Sequence, residues 1–450
     1  MRIKRLIIKG YRNLKNINID FPDSNMIAFI GNNGSGKSNI LELIARVFAY
    51  TKNCTIPNKM FPAINDLDEC EIDYIYNGNQ YALKYTNGNV LLIRGIAEIV
   101  KKSEIESILP KSIFLYYSGE TKRLAEIESK TIDNRYENAI KSDKFSGYKF
   151  IEYFSIKDLD ILIATVAVYQ RDLVKIVKDY TNGLQLFRPF SLLIANPRSS
   201  NLPGGEYFGA TGFVKSFLNE MRKYVNRTEE FDNYLMQKRK AYAMHFADVD
   251  DIKKVAESPA VFFAKMKALK NSGYLEKVII NFHKRNKTVL LDNLSEGEKQ
   301  ILLLKLLTEI TAKDDCLYLF DEFDSYLHPQ WQRQFVEMLS KVETNGQIMF
   351  TTHSPLTLGK MRKENIRILK DGNVYMPTAD TYNRDITEVL EEIMDVGKRP
   401  KEVEEIILKF RNAAVHGDKE HALLFQNELK QLLSEEDPFW VTAEHLLARL

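Results

Sequence analysis

Residues Gly31-Asn32-Asn33-Gly34-Ser35-Gly36-Lys37-Ser38 satisfy the pattern GxxxxGK[ST] at every position. No other stretch constrains the fold as tightly. Met26-Ile27-Ala28-Phe29-Ile30 ahead of it is a short apolar run of the buried-strand kind. Behind it, Ile40, Leu41, Ile44, Ala45 and Phe48 recur at helical spacing. The order strand, glycine loop, helix predicts a phosphate cradle. Glycines let backbone N–H groups close on phosphate oxygens, and the helix N-terminus adds partial positive charge. Lys37 supplies a point charge for the β- and γ-phosphates, and Ser38 a hydroxyl for Mg²⁺. Asn32, Asn33, Gly34, Ser35, Gly36 and Asn39 complete the set of nucleotide-contact candidates.

The 450 residues suffice for two or three domains, and the net charge of +2 gives no whole-chain electrostatic case for nucleic acid. No apolar run reaches about 18 residues, so no membrane span is expected. Charges every few residues in MRIKRLIIKGYRNLK break any signal-peptide core. Cys54, Cys70 and Cys316 lack metal-ligand or CxxC spacing, and reduced thiols in a cytoplasm fit them best.

Ile3–Ile8 and Ile17–Ile19 read as strands joined by a turn at Gly10–Leu14. The basic residues Arg2, Lys4, Arg5 and Lys9 read as a solvated sheet face. For Arg12 two readings stand: the same face, or a turn that swings it toward the nucleotide. Asn77-Gly78 and Asn87-Gly88 between apolar and aromatic pairs predict an antiparallel meander over about 60–100. Ile113–Tyr117 is a strand ending at Ser118-Gly119-Glu120, which is either an ordinary strand exit or a source of a metal- or water-contacting side chain.

Residues 121–287 read as a compact, mainly helical insert without sustained heptads, with Phe213–Ala268 mostly helical and loops over Asn196–Gly212. Two basic clusters, Lys238–Lys240 and His283–Lys287, read as solvated faces. Ser295 and Glu298 have capping-box spacing at the start of an apolar helix. Gly297 lies in its first turn, where a missing Cβ would let a phosphate approach the amides. Cys316–Phe320 is a buried strand ending in Asp321-Glu322, a pair suited to phosphate-metal chemistry at a sheet edge. Asp321 can hold Mg²⁺ and Glu322 can activate water. Gln347–Thr352 is another buried strand, delivering His353 to where a γ-phosphate would lie.

These motifs, in this order, resemble an ABC-type ATPase. The resemblance covers about 1–120 and 288–375. In that family LSEGEKQ is the signature motif, bringing Ser295, Gly297 and Glu298 to a nucleotide, with Asp321-Glu322 the Walker B end and His353 the switch histidine. Asp324-Ser325-Tyr326-Leu327-His328-Pro329 takes the D-loop place, and its LHP form resembles the SMC, RecF and OLD-like branch. The implied fold is α/β: a P-loop head with a mainly parallel sheet, split into 1–120 and 288–375 around the insert, then a helical region at 376–450. The implied geometry pairs two heads, ATP on Lys37 of one being closed over by Ser295 and Gly297 of the other. No Gln stands at the Q-loop place. Ser118-Gly119-Glu120 is there instead, leaving open whether Ser118 or Glu120 supplies a metal contact.

More narrowly, the chain resembles ATPase subunits of bacterial anti-phage systems, such as the Septu ATPase PtuA. That resemblance implies an ATPase that forms homo-oligomers and works with a separate HNH nuclease, with DNA or a phage component as a further partner. Helices over Glu402–Ala414 and His421–Leu433 form an αα-hairpin, followed by a last helix from Trp440, in a region beginning near Asn383. The hairpin either caps the domain or docks copies or a partner. No acidic cluster bounded by strands suggests a nuclease centre. Two other functions remain: a RecF- or SMC-like DNA-repair ATPase, and a nucleotide-gated scaffold with little hydrolysis.

Overall fold

The computed structural model describes residues 1–119, 121–145, 147–169, 171–181, 183–197, 206–234, 239–284, 287–378, 380–382 and 399–448. Glu120, Lys238, Arg285, Asn286, much of the Asn196–Gly212 loop and the helix start expected at Asn383 lie outside them. The chain divides into two compact units, Met1–Tyr382 and Asn383–Leu450.

The centre of the first unit is a seven-stranded sheet. Its order is Asn373–Tyr375, Ile366–Lys370, Met26–Gly31, Gln347–Thr352, Cys316–Asp321, Ser112–Tyr117 and Ile151–Phe154. Every neighbouring pair is parallel except the outermost hairpin, Ile366–Lys370 with Asn373–Tyr375. The strands MIAFIG, CLYLFD and QIMFTT are buried at every position. Continuous apolar runs of this kind are what a parallel sheet covered on both faces requires. The strands run in one direction, so the residues that follow each of them collect at one edge.

A second, antiparallel sheet has the order Leu14–Asp20, Arg2–Tyr11, Leu67–Tyr76, Asn79–Thr86, Asn89–Arg94 and Glu98–Ile99. Its two expected tight turns are present. Both residues of each turn have positive φ, 48° and 77° at Asn77-Gly78 and 46° and 83° at Asn87-Gly88, the type I′ signature. Arg5 and Lys9 form cross-strand ion pairs with Glu71, Asp73 and Glu69. Arg2 departs from the solvated face expected for it: its guanidinium donates to the carbonyls of Asn345 and Gly346 at 2.7 and 2.6 Å, tying this sheet to the central one.

The helix Lys37–Asn53 shares one apolar core with both sheets, joining Ile8 and Leu14, its own Ile40, Ile44 and Phe48, and Phe29 and Leu319. Phe48 meets Tyr74 edge to face, with ring centroids 5.7 Å apart. Each such large side chain contributes about 1.5–3 kcal/mol on burial. That packing fixes Lys37, Ser38 and Glu42 relative to the strand ends.

The insert carries more than helices. Helices at Arg123–Lys130, Asn134–Lys141, Leu159–Tyr169, Gly212–Arg222 and Pro259–Asn271 accompany a five-stranded antiparallel sheet. Its order is Arg227–Tyr234, Arg239–Phe246, Gln185–Ala195, Leu275–Lys284 and Lys287–Leu290. The span Phe213–Ala268, expected to be mostly helical, holds a β-hairpin between its two long helices. The signal for a strand is short: only Ala241-Tyr242-Ala243-Met244 alternates small with large residues at a period of 2.

The second unit holds helices Lys401–Val415, Lys419–Leu432 and Phe439–Leu447 around Phe410, Ala422, Leu429, Phe439 and Ala443. The first two form the expected hairpin, turning at Gly417 with φ 80°. Among the described residues, no helix is long and apolar enough to cross a membrane.

Candidate nucleotide site

The glycine loop leaves the middle of the parallel sheet and enters the helix Lys37–Asn53 through Gly36, its left-handed N-cap at φ 105°. A Cβ on Gly36 would lie 2.7 Å from Leu14 Cδ2, and one on Gly31 would lie 2.2 Å from the Leu369 carbonyl oxygen. Only glycine fits these two positions, which sets the curvature of the cradle. Asn13 Nδ2 donates to the Gly34 carbonyl at 2.8 Å, and its Oδ1 accepts from Asn39 Nδ2 at 2.7 Å. Asn13 thus ties the loop to the helix start, a role nothing in its sequence position announces. Asn32 and Asn33 are exposed at the lip, and Ser35 Oγ is buried without a hydrogen-bond partner among the described residues.

Lys37 Nζ donates to the carbonyls of Gly31 and Asn32 at 2.8 and 2.9 Å. The side chain is only 4% exposed. Burial lowers its pKa from 10.5 to about 8, against the pull of Glu322 and Asp321. Ser38 Oγ donates to Asp321 Oδ1 at 2.9 Å, bringing together two halves of the site separated by most of the chain. Thr351 Oγ1 donates to the same oxygen at 2.6 Å. Asp321 is buried, and burial raises its pKa against these two hydrogen bonds.

Glu322 sits in the left-handed region at φ 49°, a conformation that costs a non-glycine residue about 1–3 kcal/mol. Its N–H donates to Thr351 Oγ1 at 2.8 Å, and its carbonyl accepts from Ser118 Oγ at 2.6 Å. Ser118, one of the two residues left open for a metal contact, therefore braces the backbone of Glu322. His353 Nε2 lies 3.7 Å from Glu322 Oε1. Burial and the charge of Lys37 lower the His353 pKa, so the ring is neutral at neutral pH.

Asp324, in the D-loop place, is buried and accepts from Thr357 Oγ1 at 2.7 Å and from Thr352 Oγ1. Gln332 Nε2 donates to its carbonyl, and Ser354 Oγ donates to Gln332 Oε1. The residues on either side of His353 are thereby linked to the segment after Glu322.

Arg12 has left the sheet face. The turn places it at φ 52°, and its guanidinium binds Glu42 and Asn39 on the loop helix. Ser295 caps the helix Glu296–Ile310 in the reciprocal box with Glu298: Ser295 N to Glu298 Oε2 is 2.9 Å, and Glu298 N to Ser295 Oγ is 3.3 Å. Ser295 is exposed. Gly297 also serves packing within its own chain. Its missing Cβ makes room for protein, since a Cβ there would stand 2.9 Å from the Tyr326 carbonyl and 3.4 Å from the Trp331 ring. Glu120 lies outside the described residues.

The donors suit a triphosphate with a divalent cation. A loop only glycine can follow, a buried amine and a serine–aspartate pair converge at one sheet edge. A family model described as the AAA ATPase domain matches residues 1–357. The chain belongs to this AAA ATPase family. As expected from the order of its motifs, it is an ATPase. It is 23% identical to the retron Vc95 probable ATPase of Vibrio cholerae serotype O1 biovar El Tor, covering 93% of this chain and 85% of that one. The retron Ec83 probable ATPase of Escherichia coli is 24% identical, covering 89% and 78%. A shorter match, 27% identical, covers 27% of this chain and 18% of the Septu protein PtuA of Bacillus mycoides (strain KBAB4). Among solved structures, an SMC head bound to the C-winged helix domain of ScpA is 15% identical, with a TM-score of 0.41, covering 84% of this chain and 97% of that one.

Proposed function

We propose that this AAA ATPase is the ATP-binding and hydrolysing subunit of a bacterial anti-phage defence system. Two heads pair around ATP and set the state of a separate, HNH-type nuclease. The observation that carries the ATP part is the joining of Ser38 to Asp321 at 2.9 Å beside the buried Lys37. Similarity to two retron ATPases along most of the chain supports the defence setting.

In this reading Lys37 exchanges its bonds to Gly31 and Asn32 for the β/γ-phosphates, and loop amides from Asn32 to Asn39 hold the rest. Mg²⁺, when bound, neutralises phosphate charge; Ser38 and Asp321 are the residues that would hold it. Glu322 orients and deprotonates the attacking water, and the neutral His353 offers one N–H to the γ-phosphate. Arg12 adds a guanidinium beside Asn39. Ser295, Gly297 and Glu298 close the site from a second copy, their helix N-terminus facing the phosphates. Residues 1–120 and 288–375 form the head, 121–287 the insert lobe, and 376–450 the region that docks copies or the nuclease.

The test is a nucleotide-binding titration and a phosphate-release assay on wild type and Lys37→Ala, with phage plating on cells carrying each. ATP turnover and protection, both lost in Lys37→Ala, support the proposal. ATP binding that survives Lys37→Ala contradicts the site, and full protection without Lys37 contradicts the coupling.

A further inference from the structure

Glu42, on the second turn of the loop helix, is 1% exposed. Its Oε2 accepts from Arg12 Nη1 at 2.8 Å, and its Oε1 from Arg12 Nη2 at 2.9 Å. Arg46 Nε donates to Oε1 at 2.7 Å, and Tyr11 OH reaches it at 3.4 Å. Arg123, at the start of the first insert helix, brings Nη1 to 3.7 Å of Oε2. Closing a packing gap needs one guanidinium for one carboxylate. Three gather on this one, while Asp66 also acts on Arg12 and Asp321 on Arg123.

The geometry of Arg12 is specific. A guanidinium has five N–H donors in a rigid fork. Three are engaged here, two on Glu42 and one on Asn39 Oδ1 at 2.9 Å. The bidentate carboxylate fixes the plane of the group and leaves Nε–H and one Nη2–H without an acceptor among the described residues. Arg12 also stands over the Tyr11 ring, 5.1 Å from its centroid. Without Glu42, a long side chain on a turn would sample many rotamers, and ordering it on ligand binding would cost affinity.

We propose that Glu42 is a positioning residue of the nucleotide site: it holds Arg12 oriented for the phosphates of ATP and, through Arg123, ties the start of the insert to the same carboxylate. This rests on the ATP reading above. Glu42 acts through Arg12 and does not itself touch the nucleotide.

The test is a double-mutant cycle on ATP affinity with Glu42→Gln, Arg12→Ala and the pair. Glu42→Gln is expected to weaken ATP binding about tenfold, the worth of one charge-assisted hydrogen bond. Turnover at saturating ATP is expected to change by less than about threefold, a split that general damage to the fold would not give. The pair is expected to bind no more weakly than Arg12→Ala alone. Glu42→Asp keeps the charge but shortens the reach, so it is expected to fall between wild type and Glu42→Gln. It decides the matter should Glu42→Gln not fold. Wild-type affinity in the Glu42 variants, or effects that add to those of Arg12→Ala, overturn the proposal. Failure of the wild-type protein to bind ATP, read in the same titration, overturns the ATP reading instead.

Discussion

Thr351 donates its hydroxyl to Asp321 Oδ1 at 2.6 Å and, with the same oxygen, accepts the N–H of Glu322 at 2.8 Å. One side chain on the neighbouring strand thus fixes the direction of the Asp321 carboxylate and supports the left-handed backbone of the residue after it. Thr351→Val keeps the shape and removes both bonds. It is expected to cost about 1–3 kcal/mol of stability, because it removes one of the two hydrogen bonds to a buried carboxylate oxygen and leaves a backbone N–H without its acceptor. Hydrolysis is expected to fall more than ATP affinity, since Glu322 loses its aim. Denaturant unfolding and single-turnover hydrolysis measure the two effects.

Glu322→Gln removes the carboxylate proposed as the base but preserves the backbone contacts to Thr351 and Ser118. ATP binding is expected to persist while the hydrolysis rate falls by about 10²–10⁴. Turnover equal to wild type would take Glu322 out of that role.

Lys37 gives the site a pH dependence of definite sign. Its pKa of about 8 in the free protein means that the amine is largely neutral above that pH. ATP phosphates favour the charged form, so binding there takes up a proton. Affinity is expected to weaken about tenfold per pH unit above 8 until the pKa of the complex is reached. The free protein is expected to gain stability as pH rises from about 8 toward 10.5, where the unfolded chain holds a proton that the folded one has shed. Calorimetry in buffers of different ionisation enthalpy reads the proton uptake, and a wild-type affinity flat across pH 8–10 would contradict it.

Gly297→Ala tests whether the signature glycine serves packing within its own chain. The added Cβ would lie 2.9 Å from the Tyr326 carbonyl, so helix and D-loop must separate. A loss of about 1–3 kcal/mol in thermal unfolding is expected, the usual cost of overpacking. An unchanged melting temperature would show that the segment yields freely.

Much of the site was legible because its chemistry is local. Strand, loop and helix at residues 26–48 fall within one window, and the Ser295–Glu298 cap lies within four residues. What the sequence hid depends on register between distant strands. Thr351 stands beside Asp321 because Phe320 pairs with Phe350 in a parallel ladder, which no local pattern encodes. Asn13 and Glu42 are ordinary polar residues until the turn at Gly10–Leu14 folds onto the loop helix. The insert's sheet is hard to read for another reason: in its strand Arg239–Phe246 only Ala241–Met244 alternates, and it alternates small with large residues and not polar with apolar ones.

The central claim is that a nucleotide on Lys37 of one chain is closed by Ser295 of another. Sedimentation of Glu322→Gln with and without ATP, alone and combined with Ser295→Arg, tests it most directly. An ATP-dependent increase in mass is expected for Glu322→Gln and is expected to vanish in the double variant, although that variant still binds ATP. An equal ATP-dependent increase in both, or none in ATP-saturated Glu322→Gln, would contradict the shared site.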